Sequence, residues 1–344
     1  MYSHHSHSGS YCQHGSSPLE SMIEQAETLQ MKLFCLTEHI PRKNAKYLYP
    51  EEKNDSTDTV NLTRLEDDFT NFVLHAQKIK RERSDGPTKY IIGMEIESCD
   101  DDQIMYTKEI MNKYEGIIKF CVGSVHHVNG IPIDFDSDFW NLALKSCDNN
   151  IKTFLITYFN DQYKMLQVIQ PLIVGHFDVY KLFLPKDLEI DCESGEVVDR
   201  NVKDQSLSTI RNTKTIKDIP SLINHWDEVK DVVVRNLKFI SSYGGLLEIN
   251  TSALRKNLEE PYPGKDICAL AKEYSGSKFV LSDDSHSVSQ VATCYLKALH
   301  FITDIIQLEK VYYLNETAAG HLEILHRSIE EFKNDPFWLN KKLT

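Results

Sequence analysis

Short apolar segments alternate with amphipathic stretches along most of the chain. The apolar segments have the length of strands, and the stretches between them place apolar residues at helical spacing. We predict strands at 1–7, 33–39, 90–96, 117–126, 172–177, 245–250 and 278–283. We predict helices at 17–30, 62–83, 151–169, 225–242, 264–273, 288–299 and 322–332. Strands that alternate with helices indicate parallel β–α–β units, and seven of them favour a closed or nearly closed barrel.

The start of the first helix has the clearest local signal. Ser17, Pro18 and Glu20 have the pattern of an N-cap serine, a proline at the first helical position and a capping-box glutamate. One apolar face then follows at Leu19, Met22, Ile23, Ala26 and Leu29. The pattern predicts that this face packs against the core.

Two polar stretches, 44–61 and 191–221, interrupt the alternation. We interpret both as loop insertions, either lids over a site or inert surface segments. Residues 1–344 are otherwise predicted to form a single domain.

Composition excludes several classes of function. The chain has 38 Lys and Arg against 51 Asp and Glu, a net charge of −13, which argues against a protein that neutralises nucleic-acid phosphates. Its polar amino terminus does not resemble a secretory signal, and no apolar stretch is long enough to cross a bilayer. The eight cysteines are scattered without a CxxC pair, as in reduced proteins. We expect a cytoplasmic protein with neither a nucleic acid nor a membrane as partner, and the pattern leaves the oligomeric state open.

Side chains that can bind metals follow almost every predicted strand. They are His5, His7, Glu38, His39, Glu95, His126, His176, Asp283, Asp284 and His286. The carboxyl ends of the strands meet on the face where parallel α/β barrels build their active sites, so we expect these side chains to converge. Histidine and carboxylate ligands suit Zn²⁺, Mn²⁺ or Fe rather than Ca²⁺.

The alternation of side chains along a strand selects among neighbouring histidines. His5 and His7 project to one face, so both can bind one ion while His4 points away. By the same argument, only one of His126 and His127 should line the site. A histidine-rich tail without function is the alternative for the first pair.

Seven motifs together resemble the PHP (polymerase and histidinol phosphatase) superfamily, and within it the histidinol-phosphatases of the fungal type. They are HSHSGSYCQHG, CLTEHIPR, GMEIE, GSVHHVNGIPIDFD, GHFD, LEINTSALRK and SDDSH, in family order between residues 4 and 286. The resemblance implies a distorted (β/α)7 barrel, similar to a TIM barrel, with three divalent metal ions at its carboxyl face.

The resemblance also implies a ligand for each ion, position by position. The ligands of the first ion would be His5, His7, Glu95 and Asp284. Glu95 would bridge to a second ion held by His126 and His176, and a third would be held by His14, His39 and His286. Alignment on the histidine of SDDSH selects Asp284 over Asp283. Glu95, His126, His176 and Asp284 would surround the reacting group as the catalytic residues.

The implied activity is hydrolysis of L-histidinol phosphate to L-histidinol in histidine biosynthesis. A hydroxide that bridges two metal ions would attack phosphorus, and the ions would attract a phosphate to this acidic chain. Two alternatives stay open: a PHP phosphoesterase that acts on another phosphate ester, and a metal-binding barrel without catalysis.

The remaining polar groups of the substrate need protein partners. Candidates to bind the phosphate are Arg42, Lys181 and Arg255. Candidates to bind the imidazole and the amine are Asp134, Asp136 and Glu97. Asp178 could orient a metal ligand, although a surface role is an equal alternative.

Overall fold

The computed structural model describes residues 1–198 and 212–340. The strands in this part of the chain are β1 (Tyr2–Ser3), β2 (Leu33–Leu36), β3 (Lys89–Ile96), β4 (Phe120–Gly123), β5 (His127–Val128), β6 (Ile131–Pro132), β7 (Ile173–Val174), β8 (Glu189–Asp191), β9 (Thr213–Thr215), β10 (Leu246–Asn250), β11 (Phe279–Ser282), β12 (Lys310–Glu316) and β13 (Leu322–Ser328). The helices are α1 (Leu19–Thr28), α2 (Asp58–Glu82), α3 (Asp101–Lys113), α4 (Ser137–Lys145), α5 (Ile151–Ile169), α6 (Asp227–Ser242), α7 (Ser252–Arg255), α8 (Lys265–Tyr274), α9 (Tyr295–His300) and α10 (Ile329–Lys333).

The seven predicted strands are confirmed as one parallel series, β1-β2-β3-β4-β7-β10-β11. The first and last of them meet through a parallel bridge between Ser6 and Ser285. There the His7 amide donates to the Ser285 carbonyl over 2.8 Å, and the Asp284 amide donates to the His5 carbonyl over 3.0 Å. The series therefore closes on itself, and the predicted α/β barrel is confirmed.

The helix predicted at 322–332 is wrong over most of its length. Residues Leu322–Ser328 form β13, which pairs antiparallel with β12, and only Ile329–Lys333 is helical. The hairpin packs beside the first barrel strand, where the Tyr313 ring stacks on the Tyr2 ring at 4.2 Å. Its Leu314 amide donates to His4 Nε2 over 3.2 Å. His4 thus points away from the strand face that carries its neighbours, as predicted.

The first helix confirms its predicted face but not its predicted cap. Leu19, Met22, Ile23, Ala26 and Leu29 are all buried. The Leu19 amide donates to the Ser10 hydroxyl over 3.0 Å, whereas the Ser17 hydroxyl accepts from the Val288 amide over 3.0 Å. A serine from the preceding loop therefore takes the capping role, because Ser17 is used to hold the segment after β11.

The two predicted insertions have some regular structure. The segment 44–61 contains the 3-10 turns Ala45–Tyr47 and Pro50–Glu52 and the first turn of α2. In the segment 191–221, β9 pairs with β8, while residues 199–211 lie outside the described residues. The helices α3, α4 and α7 were not predicted from the apolar pattern. The helix predicted at 288–299 forms only at Tyr295–His300, after a 3-10 turn. Across the described residues, we find no helix with the length and apolar character of a membrane span.

Gly123, at the end of β4, shows how tightly the barrel packs near its carboxyl face. A Cβ there would lie 2.3 Å from Pro171 Cγ and 2.9 Å from Met165 Sδ, both within van der Waals exclusion. The absence of a side chain at this position therefore permits the contact between β4 and the segment before β7.

We expect Gly123→Ala to lower the free energy of unfolding by about 1–3 kcal/mol, because the added methyl group overpacks the site. Urea denaturation measures the change. Gly86→Ala is the control, since a Cβ there would contact only the Arg83 carbonyl, at 3.2 Å, and its effect should stay within about 0.5 kcal/mol. Equal stability of the two variants would contradict the packing argument.

Candidate metal centre

A cavity of about 450 Å³ opens at the carboxyl ends of the barrel strands. Its wall includes His39 after β2, Glu95 on β3, His126 after β4, His176 after β7 and Asp284 after β11. The barrel thus brings together side chains that are far apart in sequence, as the strand-end pattern predicted.

The first cluster surrounds the imidazoles of His5 and His7. Their Nε2 atoms are 3.0 Å apart, and Glu95 Oε2 lies 3.1 Å and 3.2 Å from them. Asp284 Oδ1 lies 3.7 Å and 3.6 Å from the same two nitrogens. Ligands placed tetrahedrally about 2.0–2.2 Å from a zinc ion are about 3.3–3.6 Å apart. The two imidazole nitrogens and Glu95 Oε2 therefore have spacing that suits one ion, and Asp284 Oδ1 lies within 4 Å of both nitrogens.

The second cluster uses the other oxygen of Glu95. Glu95 Oε1 lies 3.3 Å from His126 Nε2 and 3.0 Å from His176 Nε2, which are 3.2 Å from each other. One carboxylate therefore faces both clusters, one oxygen to each. This arrangement is what the predicted bridging role of Glu95 requires.

The third cluster contains His39 and His286. Nε2 of His39 and Nε2 of His286 are buried without a hydrogen-bond partner, which is costly unless a cation or another donor meets them. His39 Nδ1 lies 3.0 Å from Glu95 Oε2 and 3.2 Å from Glu97 Oε1. Burial and the neighbouring His7 lower the pKa of His39 to about 3, so its ring is neutral and can offer a lone pair. The His14 ring lies 5.3 Å from His39 and 4.7 Å from His286, between centroids.

Cys12 is a further candidate that sequence analysis missed. Its thiol forms a group with His7, His39 and His286, in which the potential ligand atoms all lie within 4.8 Å of one another. Cys12 precedes His14 by two residues in the first motif, and this spacing was the signal available. The third cluster thus offers a thiol as well as imidazoles.

Two buried glutamates orient the histidines. His5 Nδ1 donates to Glu248 Oε1 over 2.9 Å, and His126 Nδ1 donates to Glu97 Oε2 over 2.9 Å. A carboxylate acceptor at Nδ1 fixes the tautomer and leaves the Nε2 lone pair for a metal. Glu248 lies in the LEIN strand β10, where its inward-facing position could have revealed it.

The structure separates Asp284 from Asp283, its neighbour. Asp284 faces the first cluster, and its φ of +50° is in the left-handed region, a strained conformation that is common at functional sites. Asp283 instead accepts hydrogen bonds from the Ser3 hydroxyl and from the amides of Ser285 and Ala292. Asp283 therefore holds the surrounding segments together, and Asp284 is the better candidate ligand.

Arg42 is not placed as a phosphate ligand. Its guanidinium is fully buried, with Nη1 at 2.6 Å from Glu97 Oε1 and Nη2 at 3.3 Å from Glu52 Oε1. The Tyr49 ring covers it, with its centroid 5.0 Å from Cζ. Arg42 thus neutralises the glutamate that orients His126, and the expected contact with phosphate is not supported.

Lys181 also differs from its predicted role. Its ammonium pairs with Asp178 Oδ2 at 2.6 Å and Asp266 Oδ1 at 3.2 Å, beside a separate cavity of about 330 Å³. Asp178 accepts the Gly264 amide over 3.0 Å, so it links the segments after β7 and β10. Lys181 and Asp178 therefore join segments of the barrel, and no hydrogen bond from Asp178 to a candidate metal ligand is found among the described residues.

Arg255, the remaining candidate to bind the phosphate, lies in the wall of the metal cavity. Its Nη1 donates to the Asp283 carbonyl over 2.9 Å and its Nη2 to the Asp284 carbonyl over 3.0 Å. Lys256 follows it in the same wall and was not predicted. These two cations lie beside the clusters rather than within them.

The clusters attract positive charge. Burial alone would raise the pKa of the Glu95 carboxyl, but neighbouring imidazoles, His5 first among them, hold it well below its usual range. Burial alone would lower the pKa of His7, but the carboxylates of Glu38 and Glu95 raise it to about 9. The buried carboxylates therefore stay ionised and favour cations beside them, whether protons or metal ions.

These features define a class: the chain belongs to the PHP domain family, whose model matches residues 3–252. The predicted resemblance is confirmed. The chain is 51% identical to the histidinol-phosphatase of Saccharomyces cerevisiae over 348 aligned residues, which span 99% of this chain and 100% of that protein. It is 34% identical to a protein of Schizosaccharomyces pombe named "Probable histidinol-phosphatase", over 90% of this chain and 89% of that one.

Solved structures have the same fold. A crystal structure from Listeria monocytogenes, provisionally assigned as a histidinol phosphatase, matches with a TM-score of 0.63 and 21% identity, over 86% of this chain and 99% of that one. Histidinol phosphate phosphatase of Lactococcus lactis, solved with zinc, L-histidinol and phosphate, matches with a TM-score of 0.50 and 16% identity, over 83% and 86%. At these identities the likeness concerns the fold.

We expect Glu95→Gln to lose at least one bound metal ion per chain, because one carboxylate contacts both the first and the second cluster. Metal content by mass spectrometry measures the loss, and Glu109→Gln, on the exposed face of α3, is the control. A Glu95→Gln protein with full metal content would contradict a bridging role.

We expect Arg42→Gln to lower the free energy of unfolding by about 3–5 kcal/mol, because it leaves the charge of Glu97 buried without its partner. Metal content should fall with it, since Glu97 orients His126. The inhibition constant of inorganic phosphate, measured on metal-saturated protein, should change little. A large loss of phosphate affinity at full metal content would instead restore Arg42 as a phosphate ligand.

Proposed function

We propose that this chain catalyses the hydrolysis of L-histidinol phosphate to L-histidinol and inorganic phosphate in histidine biosynthesis. The observation that carries this proposal is the 51% identity to a curated histidinol-phosphatase over 99% of the chain. The cavity adds support, because it gathers the side chains that the family resemblance implies as metal ligands.

We further propose that the centre holds three divalent ions, Zn²⁺, Mn²⁺ or Fe. The buried imidazoles and carboxylates of the three clusters suit such ions, and the Lactococcus lactis relative binds zinc. His5, His7, Glu95 and Asp284 would hold the first ion, Glu95, His126 and His176 the second, and His14, His39 and His286 the third. When bound, the ions would supply positive charge to phosphate oxygens and lower the pKa of water.

The protein's own groups would position the substrate. The backbone carbonyls of Asp283 and Asp284 hold the Arg255 guanidinium in the wall, so its remaining N–H donors are available to a phosphate oxygen. Lys256, beside it, makes no ion pair with the described residues and adds charge to the same wall. Glu248 and Glu97 would keep the ligand imidazoles in one tautomer throughout the reaction.

We also propose that the protein works in the cytoplasm on a small phosphate monoester, without a nucleic-acid or membrane partner. The support is its eight unpaired cysteines, six of them buried, which suit a reducing compartment. Because the net charge is −13, a phosphate monoester would be attracted by a local positive site rather than by a basic protein surface.

The proposed function predicts both a substrate preference and a metal requirement. We expect kcat/KM for L-histidinol phosphate to exceed that for 4-nitrophenyl phosphate by about 10²-fold or more, as measured by phosphate release. The reason is that a site whose polar groups match those of one substrate strongly rejects an ester that lacks them. Single-stranded DNA should not be cleaved. Chelation should abolish turnover, and Zn²⁺ or Mn²⁺ should restore it. Equal, slow hydrolysis of both esters would reject the assignment.

A further inference from the structure

We propose that Asp134, beside the aromatic rings of Tyr49 and Phe135, binds the ammonium group of the substrate and thereby selects amino-alcohol phosphates. This inference rests on the proposed function and assigns a residue to substrate selection. L-Histidinol phosphate carries its ammonium group on the carbon next to the one bonded to the ester oxygen. A partner for it must therefore lie close to the metal clusters.

Two of the three acidic candidates are already used within the protein. Asp136 Oδ1 accepts the Phe139 amide over 2.8 Å and so caps α4. Glu97 is engaged by Arg42 at 2.6 Å and by His126 at 2.9 Å, one to each oxygen. A substrate ammonium could displace these contacts only by breaking a helix cap or a buried ion pair.

Asp134 differs because its carboxylate accepts no hydrogen bond from any described residue, and its Oδ1 is buried. The ion-pair contact that it makes among the described residues is a long one, 4.0 Å from Oδ2 to His126 Nε2. Its side chain lines the metal cavity and is 20% exposed. A buried carboxylate oxygen without a donor is costly until a cation approaches it, so binding of an ammonium group there is favoured.

The local fold places the Asp134 side chain beside the second cluster. Strands β5 and β6 form a hairpin that turns the chain back, and the Ile133 amide donates to the His126 carbonyl over 2.9 Å. Asp134 Oδ2 consequently lies 4.0 Å from His126 Nε2. The ammonium nitrogen of the substrate is four bonds from phosphorus (N–C–C–O–P), so it could reach Asp134 while the phosphate is bound at the clusters.

An aromatic wall adjoins the carboxylate. The rings of Tyr49 and Phe135 are stacked, with centroids 5.8 Å apart and planes 23° apart, and both line the cavity. Such a wall suits the flat imidazole of the substrate, which extends from the carbon that carries the ammonium group. The carboxylate suits the ammonium group and the aromatic wall suits the imidazole. These are the two groups that distinguish L-histidinol phosphate from a simple alkyl phosphate.

The rival role for Asp134 is a ligand of the second ion, since 4.0 Å separates it from a ligand imidazole. The two roles differ in what the isosteric Asp134→Asn change removes. Loss of an ammonium partner alters the preference for an amine, whereas loss of a ligand alters metal content. Metal analysis therefore accompanies every kinetic measurement.

The test compares L-histidinol phosphate with its deamino analogue, 3-(imidazol-4-yl)propyl phosphate, on metal-loaded protein. The wild type should prefer the amine, and Asp134→Asn should reduce the kcat/KM ratio of the two esters about tenfold or more, mainly through KM, at unchanged metal content. Asp134→Glu, which keeps the charge, should restore part of the ratio. Asp136→Asn is the matched control and should keep it.

Three outcomes would overturn the inference. They are an unchanged ratio in Asp134→Asn, a loss of one metal ion in that variant, and an equal fall of kcat for both esters. A wild type that does not hydrolyse L-histidinol phosphate would reject the proposed function itself. Because that result comes from the unmodified protein, it is distinct from a failure of the Asp134 assignment alone.

Discussion

The structure depends on cations to balance carboxylates that are buried at the mouth of the barrel. Glu38, Glu95, Glu97, Glu248 and Asp284 are all less than one-tenth exposed. Arg42 is the buried guanidinium among them, and it pairs with Glu97. Buried charge without a partner costs several kcal/mol, so the remaining balance must come from imidazolium groups or from metal ions. The charge pattern thus makes the site a cation site before any chemistry is considered.

The same constraint would resolve an apparent conflict between the charge of the chain and its proposed substrate. A protein of net charge −13 should repel a phosphate ester. Under the proposed function the attraction would be local, from metal ions held by the clusters and from Arg255 and Lys256 in the wall. The acidic residues of the site would then serve the binding of an anion, because they concentrate the cations that meet it.

The residues that hold the metal-binding side chains in place form a frame of specific contacts behind the three clusters. Glu248 joins β10 to His5, and Glu97 joins β3 to His126, so the orientation of each imidazole depends on a strand other than its own. Arg42 and Lys181 hold carboxylates of this frame. A polar network of this kind keeps ligands in place only while each member has its partner. Changes at residues that contact neither metal nor substrate can therefore alter the site.

The sequence by itself determined the seven strands, the buried face of α1, the opposite directions of His4 and His5 and the convergence of the metal-binding side chains. These features follow from local periodicity and from strand ends meeting on one face. Tertiary structure alone decided that Leu322–Ser328 is a strand, that Ser10 rather than Ser17 caps α1, and that Arg42 pairs with Glu97. The reason is physical: apolar periodicity is a property of neighbouring residues, whereas a hairpin partner, a cap or a counter-ion is chosen by distances between segments far apart in the chain.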